Sequence, residues 1–141
     1  MILLDTSGIL AALFPDQDHH QQCANVLLNA RAPLILSPFV LAEVDYLVSK
    51  KAGVEIALRI LKDVGRQAYA LAPFQASDVE KAHAVISKYR DLEIGLADAS
   101  IVVLSQRHNT HELLTLDERH FRVLAGADSK PFRLLPADLA L

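Results

Sequence analysis

The 141 residues carry 14 Lys and Arg against 17 Asp and Glu, which gives a net charge of −3. This balance excludes a protein that binds nucleic acid through a basic excess alone, because phosphate neutralisation needs an excess of cations. Hydrophobic residues make up 52% of the chain and aromatic residues 6%, which favours a single aliphatic α/β domain over residues 1–141. The lone Cys23 excludes a disulfide framework and Cys-rich zinc sites.

The amino terminus and the apolar runs predict a cytoplasmic protein without a membrane segment. The chain has no basic segment at its start and reaches Asp5 within its first apolar run, unlike a signal peptide. No apolar run approaches the ~20 residues that a membrane span needs. One unpartnered thiol is typical of a reducing compartment.

The first predicted element is a strand at Met1–Leu4, a short apolar run that ends in Asp5. Such runs are typical of parallel strands buried on both faces. Ligands of open α/β sheets bind at the carboxyl ends of the strands, so Asp5 stands where chemistry is expected. Helices follow over residues 7–14 and 19–29. His19 and His20 point about 100° apart on a helix, which favours surface positions over a shared metal.

The second strand, residues 34–36, leads into a helix that Ser37-Pro38 begins, with serine as N-cap and proline at the first helical position. Glu43 lies on the flank of this helix's apolar stripe. A buried acid there is costly unless it meets a cation or a metal. The next helix is predicted over residues 52–64, with Gly65 at the left-handed position that ends it.

A third strand is predicted over residues 68–71, and Ser77 then opens a helix that reaches about Tyr89. Ser77 and Glu80 have the spacing of a capping box. Asp78 and Glu80 are therefore explained by helix capping and need no catalytic role.

The helix predicted over residues 94–104 is apolar on nearly every side, and Asp98 is its only ionisable residue. A helix of this kind belongs in the core. An isolated carboxylate in such a place is unfavourable by several kcal/mol. Asp98 therefore either caps the helix or shares a cation with another acid, and the strand-end Asp5 favours the second interpretation.

Residues 112–116 repeat the arrangement of the amino terminus, because a short apolar strand ends in Asp117. Two strands would thus deliver acids to the same edge of the sheet. Asp117 could instead be the N-cap of a short helix over residues 118–124. The last predicted strand covers residues 132–135.

Four acids are therefore expected to converge in one crevice: Asp5, Glu43, Asp98 and Asp117. They would repel one another strongly unless a cation neutralises them. Oxygen ligands without cysteine or a histidine pair favour Mg²⁺ or Mn²⁺ over zinc. Such ions bind substrate phosphates and activate water, so the pattern predicts phosphoester hydrolysis. A glycosidase acid pair would explain only two of the four acids.

The acidic segments resemble, in their order and separations, the four motifs of PIN-domain ribonucleases, and above all the VapC toxins of bacterial toxin–antitoxin pairs. The segments are Leu4-Asp5-Thr6-Ser7, Ser37-Pro38-Phe39-Val40-Leu41-Ala42-Glu43-Val44, Ile94-Gly95-Leu96-Ala97-Asp98-Ala99 and Leu114-Thr115-Leu116-Asp117-Glu118-Arg119-His120-Phe121. The resemblance implies a PIN-like three-layer α/β fold with a mostly parallel five-stranded sheet flanked by helices. It also implies a Mg²⁺- or Mn²⁺-dependent endoribonuclease, a homodimer and a VapB-like antitoxin as partner.

The resemblance also assigns roles within the site. It implies that Asp5 and Asp98 are the main metal ligands and that Glu43 completes the acidic centre, directly or through water. Asp117 would support a second or weaker metal position. Thr6 and Thr115 would orient carboxylates through their hydroxyl groups.

No motif in the sequence decides which RNA is the substrate. Transfer RNA and the sarcin–ricin loop of ribosomal RNA are the targets that the resemblance suggests. Candidates for phosphate contacts near the last two motifs are Arg107, His108, Arg119, His120 and Arg122, with a solvated surface as the alternative for each.

The alternative function is a non-catalytic PIN-like module that binds RNA or protein. A phosphatase with an aspartyl nucleophile is disfavoured because no second aspartate follows two residues after Asp5.

Overall fold

A computed structural model describes residues 1–139, in which five strands alternate with seven α-helices and two 3₁₀ turns. The strands are β1 (Ile2–Leu4), β2 (Leu34–Leu36), β3 (Ala70–Leu71), β4 (Glu112–Leu114) and β5 (Arg133–Leu135). The helices are α1 (Thr6–Leu13), α2 (His20–Asn29), α3 (Pro38–Ala52), α4 (Val54–Gly65), α5 (Ala76–Lys88), α6 (Leu96–His108) and α7 (Glu118–Phe121). Over the same residues, no helix is both long and apolar enough to cross a membrane.

The strands form one parallel sheet in the order β3-β2-β1-β4-β5. β1 lies at the centre, where Leu3 pairs with Ile35 of β2 and with Leu113 of β4. The side chains of Leu3 and Leu4 are fully buried, as expected for a strand covered on both faces. The predicted α/β fold with a parallel five-stranded sheet is confirmed, and its geometry brings the carboxyl ends of β1 and β4 side by side.

Gly8 allows α1 to pass directly over the end of β4. A Cβ atom at this position would lie 2.6 Å from Cγ and 2.7 Å from the backbone oxygen of Leu114. Real Cβ atoms do not approach other atoms so closely, so any larger residue would push the helix away from the strand. The absence of a side chain at Gly8 therefore keeps the start of α1 close to the end of β4, which Asp117 follows.

α6 is the buried helix that the sequence predicts, although it extends to His108. All residues from Ala99 to Ser105 are buried. The hydroxyl of Ser100 lies 2.6 Å from that of Ser37, which satisfies both groups in the interior and ties α6 to the start of α3. Asp98 immediately precedes this buried stretch and lies in the first turn of α6, so its position is fixed by a helix packed in the core.

The sequence predicts the start of α3, the start of α5 and the end of α4, and the structure confirms only the first of these three helix ends. Ser37 is the N-cap of α3 as predicted, since its hydroxyl accepts a hydrogen bond from the Phe39 amide at 3.2 Å. The predicted capping box of Ser77 and Glu80 is wrong, because α5 begins at Ala76 and its N-cap is Gln75, two residues before Ser77. The Asp78 carboxylate instead accepts a hydrogen bond from the Gln75 amide at 2.9 Å, so Asp78 does serve the helix end.

The predicted end of α4 at Gly65 is also wrong. Gly65 is the last residue inside the helix, and the left-handed conformation falls on Gln67 with φ 65°. The Gln67 amide donates to the Val64 carbonyl at 3.0 Å, so a further turn closes the helix beyond the glycine. The permissive backbone of Gly65 is not used.

Candidate active site

Asp5 lies at the carboxyl end of β1 with only 5% of its surface exposed. Its Oδ2 atom accepts hydrogen bonds from the Thr115 hydroxyl at 2.7 Å and from the Ser7 hydroxyl at 2.8 Å. Burial raises the pKa of this carboxyl group, the hydrogen bonds from Thr115, Ser7 and the Thr6 amide lower it, and the charge of Asp117 raises it further. The net pKa is raised, so Asp5 is a carboxylate that would gain from a nearby cation.

Ser7 and Thr115 also fix the position of Asp5 relative to the end of β4. The Leu116 amide donates to the Ser7 hydroxyl and the Asp117 amide donates to the Thr115 hydroxyl, each at 2.9 Å. The contact of Thr115 agrees with its predicted orienting role. The role of Ser7 was missed, although a hydroxyl two residues after an aspartate at a helix start is the signal that could have indicated it.

Asp98, Asp117 and His120 offer three potential metal-ligand atoms within 4.8 Å of one another. The Nδ1 atom of His120 lies 3.0 Å from Oδ2 of Asp98 and 3.0 Å from Oδ2 of Asp117. Their side chains are 18%, 30% and 20% exposed for Asp98, Asp117 and His120, so an ion could enter from solvent. The sequence indicates His120 only as a candidate phosphate contact, whereas the structure brings it to the acids.

The Nδ1 atom of His120 is buried and has no hydrogen-bond partner among the residues that the structure describes. Both neighbouring carboxylate oxygens are close enough, but neither has the direction that a hydrogen bond with this nitrogen requires. A buried polar atom without a partner is costly. The three groups therefore fit a shared divalent cation, which would satisfy the nitrogen and both carboxylates together.

Burial and neighbouring charge raise the pKa of Asp98 to about 6 from its ordinary value of 3.8. Desolvation is the largest cause, followed by repulsion from Asp5. His120 opposes the shift by attraction and by the close approach of its ring nitrogen to the carboxylate, and the charge of Asp117 adds to the shift. The carboxyl groups of Asp5, Asp98 and Asp117 thus lie close enough to repel one another, which is the expected electrostatics of a cation site.

Asp117 combines the two roles that its sequence position left open. One carboxylate oxygen, Oδ1, accepts a hydrogen bond from the His120 amide at 3.0 Å and so caps α7. The other oxygen, Oδ2, faces the imidazole of His120. The capping bond fixes the orientation of the carboxylate, so that its free oxygen points into the site.

Glu43 joins the site by a different route. Its side chain is exposed on α3 and accepts a hydrogen bond from the Thr6 hydroxyl at 2.7 Å. Thr6 immediately follows Asp5, and its contact with Glu43 agrees with its predicted orienting role. Within residues 1–139, Glu43 and Asp5 stand outside the close group of three ligand atoms. Direct coordination by all four acids therefore stays a prediction.

Two of the basic candidates are engaged in ion pairs. Arg107 contacts the Asp78 carboxylate at 2.9 Å and the Pro73 carbonyl at 2.7 Å. Arg122 donates to both carboxylate oxygens of Asp138 at 2.8 Å and to Glu118 at 2.7 Å. These guanidinium groups hold loops and helices together.

The other basic candidates differ in their availability. Burial and the charge of Arg107 lower the pKa of His108, so this ring is neutral near pH 7. Arg119 is exposed on α7, and among the ion pairs of residues 1–139 it makes none. Arg119 is therefore the arginine of this group that is free to contact phosphate.

Two cavities frame the sheet at opposite ends. The larger, about 470 Å³, is lined by residues at the amino ends of three strands, including Ile2, Glu112 and Arg133. The smaller, about 210 Å³, is lined by His19, Gln22, Thr115, Leu116, Glu118, Pro136 and Ala137. The smaller cavity adjoins the acids, because it shares Thr115 with the hydrogen-bond network of Asp5.

Comparison with known proteins agrees with this architecture. A family model described as the PIN domain matches residues 2–127. The chain is 36% identical over 135 residues, 96% of its length, to the whole of a protein named Ribonuclease VapC26 from Mycobacterium tuberculosis (strain ATCC 25618 / H37Rv).

Solved structures share the fold at lower identity. VapC20 of Mycobacterium tuberculosis, described as a sarcin–ricin loop cleaving toxin, superposes with a TM-score of 0.77 at 17% identity, over 83% of this chain and 90% of that chain. VapBC2 from Rickettsia felis, bound to a DNA fragment from its promoter, gives a TM-score of 0.65 at 22% identity, over 95% and 98% of the two chains. The family model, the VapC26 identity and the site together show that the chain belongs to the PIN-domain family, as a homologue of the VapC ribonucleases.

Proposed function

We propose that the protein is a metal-dependent endoribonuclease toxin that hydrolyses phosphodiester bonds in a structured RNA and is neutralised by a cognate VapB-like antitoxin. The observation that carries this proposal is the convergence of Asp5, Asp98 and Asp117 at the ends of β1 and β4, with the pKa of Asp98 raised to about 6. The burial and mutual repulsion that raise this pKa have no structural benefit, and a bound cation would offset both.

In the proposed site, the carboxylates bind the ion and neighbouring hydroxyl groups orient the carboxylates. Asp5 and Asp98 would be the main ligands, Asp117 would support a weaker position, and Glu43 would complete the centre directly or through water. A bound Mg²⁺ or Mn²⁺ supplies a more acidic water and neutralises phosphate charge. The hydroxyl groups of Ser7 and Thr115 hold the Asp5 carboxylate, and that of Thr6 holds the Glu43 carboxylate, in place before the ion arrives.

The substrate proposal is RNA that folds into defined structure, with transfer RNA and ribosomal RNA as the two classes to distinguish. The net charge of −3 gives no general attraction for phosphate, so local cations must supply the contact. Arg119, exposed on α7, and the cavity of about 210 Å³ that Thr115 lines are the features that suit this role. The alternative is a PIN-like module that binds RNA or protein without cleaving it.

The proposed activity is tested by incubating the purified protein with total RNA in Mn²⁺ or Mg²⁺ and sequencing the new 5′ ends. A nuclease of this kind produces a small set of discrete ends that are absent in EDTA. The mapped positions identify the RNA class. Intact RNA at every metal and protein concentration, together with RNA retention on the folded protein, would instead support the binding module.

We expect the antitoxin to inhibit by placing an arginine among the carboxylates. A guanidinium group can donate to two oxygens at once and so take the place of the cation, and Asp98 and Asp117 present such oxygens close together. Replacing that arginine with glutamine should restore RNA cleavage while much of the complex persists. A structure of the inhibited complex in which the acids stay open to solvent would contradict this mode of inhibition.

The proposed toxin is a cytoplasmic homodimer, as its resemblance to the VapC family implies. Light scattering on the purified chain at micromolar concentration should give about twice the 15.5 kDa mass of one chain. A single-chain mass across this concentration range would contradict the dimer without affecting the proposed chemistry.

A further inference from the structure

We propose that the Nδ1 atom of His120 is a ligand of the bound ion, and that this nitrogen makes the site select Mn²⁺ over Mg²⁺. The inference rests on the proposed function, because it names the ion that the proposed nuclease would use. It adds a nitrogen ligand to a centre that the four acidic motifs describe as oxygen alone.

The distances around His120 match the edges of an octahedral coordination shell. Nδ1 lies 3.0 Å from one oxygen of Asp98 and 3.0 Å from one oxygen of Asp117. Two ligands at right angles on an octahedral ion, each about 2.1 Å from it, lie about 3.0 Å apart. Both nitrogen–oxygen distances therefore have the length expected between neighbouring ligands of one ion, and the three ligand atoms lie within 4.8 Å of one another.

The simpler interpretation is that His120 donates a hydrogen bond to both carboxylates and holds them together without any ion. That arrangement would leave the ring nitrogen satisfied. The nitrogen is instead buried without a hydrogen-bond partner in the described part of the chain, although both oxygens are near. The lone pair of Nδ1 is therefore available to another ligand. Because two carboxylates flank this nitrogen, a cation is the ligand that the position favours.

His120 is also held rigidly, as a metal ligand should be. Its amide donates to Asp117, which fixes the start of α7. The next residue, Phe121, is 1% exposed and packs edge-on against Phe132 with 5.8 Å between ring centroids. The backbone that carries the imidazole is therefore fixed before the ion binds.

The nitrogen determines which ion is favoured. Mg²⁺ prefers a shell of oxygen atoms and sheds its waters reluctantly. Mn²⁺ accepts the same carboxylates and, as a transition-metal ion, gains more affinity from an imidazole ligand than Mg²⁺ does. A shell with two carboxylates and one imidazole therefore discriminates in favour of Mn²⁺.

The direct test is electron spin echo envelope modulation of Mn²⁺ bound to the full chain, which detects a nitrogen atom coordinated to the ion. Wild type should show this nitrogen coupling, and His120→Asn should lose it. His83→Asn is the matched control, since it removes an exposed histidine on α5 by the same substitution and should keep the coupling.

The second readout is the affinity of each protein for Mn²⁺ and for Mg²⁺, measured by titration without RNA. We expect His120→Asn to weaken Mn²⁺ binding by about 10-fold or more and to leave Mg²⁺ binding nearly unchanged. Circular dichroism establishes that the variant is folded, and the capping bond of the residue-120 amide remains available in Asn.

The outcomes separate this inference from the proposed function. Mn²⁺ binding that disappears in Asp98→Asn, but shows no nitrogen coupling in wild type, would overturn the role of His120 and leave the nuclease proposal intact. A coupling that survives in His120→Asn would overturn it in the same way. Absence of any Mn²⁺ or Mg²⁺ binding to the wild-type chain would overturn both.

Discussion

Asp98→Asn should abolish Mn²⁺-dependent RNA cleavage, with a loss of more than about 100-fold in rate, while the fold stays intact. The substitution keeps the shape of the side chain and removes one negative charge from the proposed ion site. It is tolerated structurally because Asp98 lies in the first turn of α6 but forms no capping bond, the N-cap being Gly95. Discrete RNA ends, counted by sequencing at equal protein concentration, measure the loss.

Asp117→Asn is the matched control for this result. Asp5→Asn makes the same substitution at the other proposed main ligand, at the end of β1. Asparagine is as good an N-cap as aspartate, so the Asp117 substitution preserves α7. It should reduce cleavage less than Asp98→Asn, because its acid supports a weaker ion position. Asp5→Asn should be as inactive as Asp98→Asn. Full cleavage by a folded Asp98→Asn protein would remove Asp98 from the proposed ion site.

The strand ends could be predicted from the sequence because they depend on local pattern alone. Short apolar runs that stop at Asp5 and Asp117 identify two buried parallel strands, and parallel strands must present their carboxyl ends together. Asp98 was identifiable for a similar reason, since it is the only charge in a helix whose other faces are apolar. Each of these inferences needs only one segment of the chain.

The remaining features depend on contacts between distant segments, which periodicity does not encode. The ion pair of Arg107 with Asp78 and that of Arg122 with Asp138 remove two arginines from the phosphate-binding candidates. Glu43 reaches the site only through Thr6, 37 residues away. The sequence shows that His120 comes three residues after Asp117. Its closeness to Asp98 depends on the packing of α7 beside α6, which the sequence pattern does not predict.

The second large effect concerns stability without metal, and it needs no knowledge of the substrate. Burial of the Asp98 carboxyl group, and then repulsion from Asp5 and Asp117, raise its pKa to about 6. A shift of this size corresponds to at most about 3 kcal/mol at neutral pH, and solvent at the partly exposed carboxylate reduces this to about 1–2 kcal/mol. Metal-free Asp98→Asn should therefore be more stable than metal-free wild type by that amount.

The difference in stability between metal-free wild type and metal-free Asp98→Asn depends on pH. The folded pKa of Asp98 lies above its unfolded value of 3.8, so the neutral acid is favoured in the native state. Wild type has no penalty below pH 3.8, and it loses stability relative to Asp98→Asn as the pH rises through about 6. In EDTA, the two melting temperatures should therefore converge toward pH 4 and separate by pH 7.

Mn²⁺ should reverse the order of the two proteins at neutral pH. A ligand that binds only the folded state stabilises it by about 2.7 kcal/mol at 100 times its Kd. Wild type gains this stabilisation, and the mutant has lost much of its affinity, so the effects of mutation and metal should not add. Thermal melts of both proteins in EDTA and in millimolar Mn²⁺ measure all four states. A metal-free Asp98→Asn protein less stable than wild type, with no Mn²⁺ effect on either, would mean that Asp98 is a structural residue of α6.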